Sequence, residues 1–198
     1  LLILGLFLSS CAVTPKKFSE YTQGEWTGKA LVRNKETDKR GIVNLKIKAI
    51  DGDKLRLDIT STIGTHIASL LLDGQSLQYF IVAEKKYVAS KADKSALKDI
   101  LMVPIEPQYL YNVLFDKPFL EKTWNCTSDE KGFMSTCQEK KSGIKIQWVL
   151  REGARRTVNI EHATASVQFN LFGFISDISN PDKAFVLNAP PAFRVINR

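Results

Sequence analysis

The 198-residue chain is short of the residues that carry chemistry. It has two histidines, His66 and His162. Each stands alone, with no H-x-x-x-H partner and no carboxylate at ligand spacing, so nothing in the sequence indicates a metal site. There is no C-x-x-C, and no G-x-x-x-x-G-K-[ST] loop to cradle nucleotide phosphates. No G-x-S-x-G occurs and no Ser-His-Asp order is convincing. Glu106 and Asp116 flank a short helical stretch, but two carboxylates alone do not make an acid–base pair. Catalytic residues, metal and cofactor are all expected to be absent, and the chain is not read as an enzyme. It also lacks a βαβ rhythm, an internal repeat and any block of five like charges.

What is present begins at Leu1. Residues 1–8 are apolar apart from one glycine, and Ser9, Ser10 and Cys11 follow. A bilayer-spanning helix takes ~20 apolar residues, so this run is too short to span. Its size is that of the apolar region of a secretory signal peptide. Leu8-Ser9-Ser10-Cys11 is similar to a bacterial lipobox: a branched apolar residue, two small residues that give a peptidase room, and a thiol to be lipidated. The expected organisation is a signal peptide over 1–10, truncated at its N-terminus, then lipidated Cys11 with a polar tether over 11–23, then one domain over 24–198. Ala12 stands where an aspartate tends to retain Gram-negative lipoproteins in the inner membrane, so the resemblance implies the periplasmic face of the outer membrane. Export argues against nucleic acid as the partner of the +7 net charge, which is spread along the chain and reads as a solvated basic surface.

The other two cysteines, Cys126 and Cys137, enclose ten residues, TSDEKGFMST, with a polar, glycine-containing middle. Two strands joined by a turn bring them close, and in an oxidising compartment they read as a disulfide. A metal or redox pair lacks both the spacing and a nearby histidine.

Along the chain, period-2 alternation dominates. Trp26, Gly28, Ala30 and Val32 share one face; so do Val43, Leu45, Ile47 and Ala49, and then Leu55, Leu57 and Ile59. These are half-buried antiparallel strands. Residues 61–65 turn the chain, and 66–72 form a strand with both faces fairly apolar. After Asp73-Gly74 come strands at 77–82 and 87–89. The period then changes: Ser90 or Asp93 caps a helix with the stripe Ala96, Leu97, Ile100 and Leu101, stopped by Pro104. A second short helix fits Pro107 to Leu114. Strands resume with the cysteine hairpin near 121–138 and continue at 144–150, 158–160 and 167–171, before an irregular tail with one short strand. The fold class is mainly β with a helical cap: a curved antiparallel half-barrel of about ten or eleven strands closed by short helices.

Residues 55–119 resemble the outer-membrane lipoprotein receptor LolB in four successive features. They are the hairpin loop Ser61-Thr62-Ile63-Gly64, the strand pair after it, the helix entry Tyr87-Val88-Ala89-Ser90, and Met102-Val103-Pro104-Ile105 before a second helix. The match covers about a third of the chain, fades after residue 120, and has Thr62 where family members often carry proline. It implies a LolA/LolB-like half-barrel around an apolar cavity. It also implies partners: acylated lipoproteins and a periplasmic LolA-like carrier, with the membrane held through the N-terminal acyl chains and the protein a monomer. Ile63, with Gly64 behind it, would be the loop tip pushed into the bilayer. Alternation alone favours Ile63 packing back on the core; the resemblance reverses that.

Trp26, Leu57, Trp148 and Phe169 lie on apolar strand faces and either line such a cavity or fill a solid core, the ordinary condition of protein interiors. Leu97, Leu101, Leu110 and Val113 are either a movable lid or the other half of that core. Two other functions stay open at this stage: a structural lipoprotein of an envelope complex, and a lipid or glycolipid binder unrelated to lipoprotein sorting.

Overall fold

The structure, a computed structural model, describes residues 13–93 and 97–198. Cys11 and the whole 1–10 signal region lie outside the described residues, as does Ala96. A 3-10 turn at Phe18–Glu20 leads into six strands: β1 (Gln23–Asn34), β2 (Arg40–Ile50), β3 (Lys54–Thr60), β4 (His66–Asp73), β5 (Ser76–Ile81) and β6 (Lys86–Lys91). Two short helices follow, α1 (Lys98–Leu101) and α2 (Tyr109–Leu114). Then come β7 (Trp124–Ser128), β8 (Met134–Glu139), β9 (Lys145–Glu152), β10 (Arg155–Glu161) and β11 (Ala165–Ile175), and finally α3 (Pro181–Ala184) and β12 (Arg194–Asn197).

All twelve strands form one open sheet in the order β12-β6-β5-β4-β3-β2-β1-β11-β10-β9-β8-β7. Two meanders, β1–β6 and β7–β11, are fused where β1 pairs antiparallel with β11, from Glu25 opposite Ile175 to Asn34 opposite Ala165. At Gly28 the two backbones are too close for a side chain: a Cβ there would lie 2.5 Å from the Asn170 carbonyl oxygen. Alternation aligns one apolar face across the sheet. Ala30 is opposite Val43 and Phe169, Leu45 opposite Ile59, and Ile47 opposite Leu57. The segment with α1 and α2, which connects β6 to β7, lies on this inner face, where Leu97, Leu101, Leu110, Val113 and Leu114 join the main core.

The register also sorts the turns. The β1–β2, β3–β4 and β5–β6 turns sit side by side at one end of the sheet, here called the tip end, and the β2–β3, β4–β5 and β9–β10 turns lie at the other. The N-terminal segment is seated at that other end, where the Lys16 amide donates to the Gly153 carbonyl at 2.8 Å. Phe18, within the stretch expected to be a tether, is buried against Phe174 and Trp26.

The structure corrects several expectations. Among the described residues there are twelve strands rather than about ten or eleven, and the last, β12, runs parallel to β6 instead of continuing the antiparallel pattern. Ser90 does not cap a helix: it lies in β6 opposite Leu77, because pairing with β5 carries the strand on to Lys91. The first helix is confined to Lys98–Leu101 among the described residues and ends at Met102, whose φ is +61°. The second begins at Tyr109 rather than Pro107.

The tail is more than an irregular end. Ile178, Phe185 and Leu187 pack against Leu71 and Phe80 on the outer face of β4 and β5, forming a second apolar cluster. This accounts for β4 reading as apolar on both faces: its second face is covered by chain from over 100 residues away.

Candidate functional site

Between the inner face and the helices the packing is incomplete. One cavity of about 190 Å³ lies among Ala30, Val43, Leu45 and Ile59 of the sheet and Ile100, Leu101 and Met102 of the α1 region. Its lining continues to Gly41, Ile67 and Ile81, at the tip end of their strands. A second, of about 20 Å³, lies one residue pair further along the same strands, among Ile47, Leu55, Leu57, Phe169, Leu110 and Val113. Every lining side chain is apolar, the character of a site for apolar guests.

Of the expected cavity or lid residues, Leu57, Leu110 and Phe169 line the smaller cavity and Leu101 the larger. Trp26, Leu97 and Trp148 line neither. Leu97 and Trp148 are buried in the packed core. Trp26 belongs to an aromatic cluster with Phe115 edge-on at 5.2 Å and Phe174 at 5.1 Å. Bulk and alternation place all of these on one face; only the position of the helices decides which of them meet empty space.

At the tip end, the β3–β4 turn projects Ile63 into solvent with 88% of its surface exposed. The turn is closed by Gly64 N–H donating to the Ser61 carbonyl at 3.0 Å and by Thr65 N–H donating to Ser61 Oγ at 3.0 Å. Gly64 has φ +89°, which a side chain would strain. These bonds define the loop without the proline that Thr62 replaces.

A charged cluster that the sequence reading missed ties α2 to the sheet. Asp116, just past the helix, accepts from Arg156 Nη1 at 2.7 Å and from Arg151 Nη1 at 2.5 Å. Arg156 also donates through Nη2 to the Leu114 carbonyl, and its guanidinium lies 3.9 Å from the Phe18 ring centroid. The side chain is wholly buried, and burial lowers its pKa to about 10 despite Asp116, leaving it charged at neutral pH. The missed signal was parity: Arg156 shares the period-2 register of Val158 and Ile160, which puts an arginine on the apolar face. Asp116 therefore serves a structural ion pair with Arg151 and Arg156.

On the outer face His66, Ser69 and Asp58 meet. Ser69 Oγ donates to Asp58 Oδ1 at 2.5 Å and lies 2.9 Å from His66 Nε2. The buried serine stands between the other two, and Arg56 also donates to Asp58 Oδ1, through Nε at 2.9 Å. No group of three metal-ligating side chains occurs among the described residues.

Cys126 and Cys137 face each other across β7 and β8, bonded, with Cα atoms 4.1 Å apart. The bridge closes the hairpin beside the stacked Phe119–Trp124 pair. Replacing both cysteines by serine is expected to lower stability by about 2–3 kcal/mol in urea unfolding. Both thiols should resist alkylation until a reductant is added.

No family model and no curated protein matches the chain. Solved structures do. A LolA superfamily protein from Nitrosomonas europaea superposes with a TM-score of 0.51 at 11% identity, covering 86% of this chain and 94% of that one. An uncharacterized conserved protein from Thermus thermophilus gives 0.43 at 7% identity over 87% and 90% of the two chains. A domain from Vibrio parahaemolyticus, described as belonging to an outer membrane lipoprotein-sorting protein, gives 0.43 at 12% over 82% and 88%. The fold is LolA/LolB-like: a mainly β half-barrel whose open sheet is capped by short helices.

Proposed function

We propose that this protein receives the acyl chains of lipoproteins in the cavity between the sheet and α1–α2 and delivers them to the outer membrane. It acts there as a LolB-like acceptor held by lipidated Cys11 and taking cargo from a periplasmic LolA-like carrier. The observation that carries the reading is the wholly apolar lining of the larger cavity and its extension to the tip end, where Ile63 stands exposed. Acyl chains bind through buried apolar area, at about 25 cal/mol per Å², and need neither a catalytic group nor a cofactor. Cargo can pass between carrier and acceptor when both offer similar apolar surroundings. In this reading Ile63, on the turn fixed by Gly64, enters the bilayer at the moment of delivery. The protein works as a monomer on the periplasmic face.

Ala30→Leu tests the cavity. Ala30 is buried on the inner face and lines the larger cavity, so leucine places three more carbons inside it. Each methylene of guest displaced forfeits about 0.8 kcal/mol. A fluorescent fatty acid should then bind at least ~10-fold more weakly in titration, with the unfolding midpoint unchanged or raised. Unchanged fatty-acid affinity would place acyl binding elsewhere.

A further inference from the structure

The tip end carries more than Ile63. The three neighbouring turns each expose an apolar side chain: Ile42 beside the β1–β2 turn, Ile63, and Val82 at the β5–β6 turn. They are knitted together, with Asn44 Nδ2 donating to the Ser61 carbonyl at 2.8 Å and the Val82 amide to the Ile67 carbonyl at 2.9 Å. The charges around them are mostly positive. Arg33 and Arg40 share one carboxylate, Asp38, at 2.7 and 3.3 Å. Lys39, Lys85 and Arg194 are exposed and have no acidic partner among the described residues. Besides Asp38, Glu36 and Glu84 are the exposed acids of the β1–β2 and β5–β6 turns, and Glu84 lies 3.7 Å from Lys86, so the cations of these turns still outnumber the acids. Arg194 joins the group because its amide donates to the Lys85 carbonyl at 2.8 Å. The same strands end differently on the far side, where the β2–β3 and β4–β5 turns hold Asp51, Asp53 and Asp73 against Lys54 and Lys117. The β1–β6 meander is thus basic and apolar-tipped at one end and carries three aspartates in its turns at the other.

We propose that the tip end docks on a bilayer with anionic headgroups, selecting it over a neutral one. Ile42, Ile63 and Val82 meet the acyl boundary while Lys39, Arg40, Lys85 and Arg194 meet lipid phosphates. Exposed apolar side chains ringed by cations match the layering of such a surface, apolar beneath and negative above. This rests on the reading of Ile63 as a bilayer-facing residue and adds the headgroup class to it.

The test uses residues 13–198 without an acyl anchor, since these contain the whole described sheet and both apolar clusters. Flotation is measured with vesicles of phosphatidylcholine alone, and of phosphatidylcholine and phosphatidylglycerol in equal parts. Binding is expected only to the anionic vesicles and should weaken as salt is raised. A cation at such a surface contributes about fivefold in affinity, so the double variant Lys39→Glu/Lys85→Glu should bind at least ~25-fold more weakly with its unfolding unchanged. Equal binding to both vesicle types, abolished by Ile63→Glu, would overturn the headgroup selectivity and leave the Ile63 reading standing. Wild-type binding by the double variant would also overturn the selectivity. Binding to neither vesicle would overturn both, and would leave the basic end as a face for an acidic protein.

Discussion

Asp116→Ala is expected to lower stability by about 3–5 kcal/mol, enough to unfold much of a marginally stable domain. Two guanidinium groups converge on this one carboxylate, and the Arg156 side chain has no exposed surface while that of Arg151 has only 11%. Removing the carboxylate leaves two like charges together in a low-dielectric interior. Arg156 retains the Leu114 carbonyl and the face of Phe18, and Arg151 retains the Met134 carbonyl at 2.7 Å, but none of these carries a full negative charge. Taking the second charge away should restore much of the loss. In the double variant Asp116→Ala/Arg156→Met a flexible apolar side chain replaces the buried cation, and recovery of at least half the lost stability is expected. Urea unfolding of the two single variants and the double variant measures the coupling directly. A loss under about 1 kcal/mol in Asp116→Ala would show that the pair is not what holds α2 to the sheet.

Ile63→Glu should abolish transfer of lipoprotein to membranes while leaving the fold intact. With 88% of its surface in water, Ile63 has almost no packing to lose, and exposed substitutions of this kind change stability by within about 0.5 kcal/mol. In a bilayer the balance reverses. Burying isoleucine contributes about 1.5–3 kcal/mol, and a glutamate at that depth is unfavourable instead. The readouts are therefore separate: an unchanged unfolding midpoint and fatty-acid affinity, alongside loss of transfer from a loaded carrier to vesicles. Transfer at the wild-type rate would remove Ile63 from the mechanism. A fall in fatty-acid binding together with transfer would mean that the loop acts on the cavity.

The sequence made the strands of both meanders legible because each has one dry face, and a dry face writes itself as alternation. Asp51-Gly52-Asp53 and Asp73-Gly74 marked the turns between them, and the glycine-containing middle of 126–137 marked a hairpin. The inner-face residues Leu57 and Phe169 were legible as apolar, although the empty volume beside them was not. That volume depends on how far α1 and α2 stand from the sheet, a tertiary matter in which the Arg151–Asp116–Arg156 cluster and the Trp26–Phe115 contact tie the end of α2 down. The same distinction explains why Trp26, Leu97 and Trp148 fill the core where Leu101 and Leu110 meet a gap.

Local chemistry alone determined which residues extend, where the chain turns, and which side of each strand is greasy, since hydrogen bonding and hydrophobicity act between near neighbours. Tertiary structure decided the rest. Fusion of the meanders through β1 and β11, the tail laid over Leu71 and Phe80, β12 added parallel to β6, and a cation drawn inside to meet Asp116 all join segments far apart in the chain. No local pattern names the partner of a distant surface, and those partners are chosen only when the apolar faces and buried charges of the whole molecule are satisfied together.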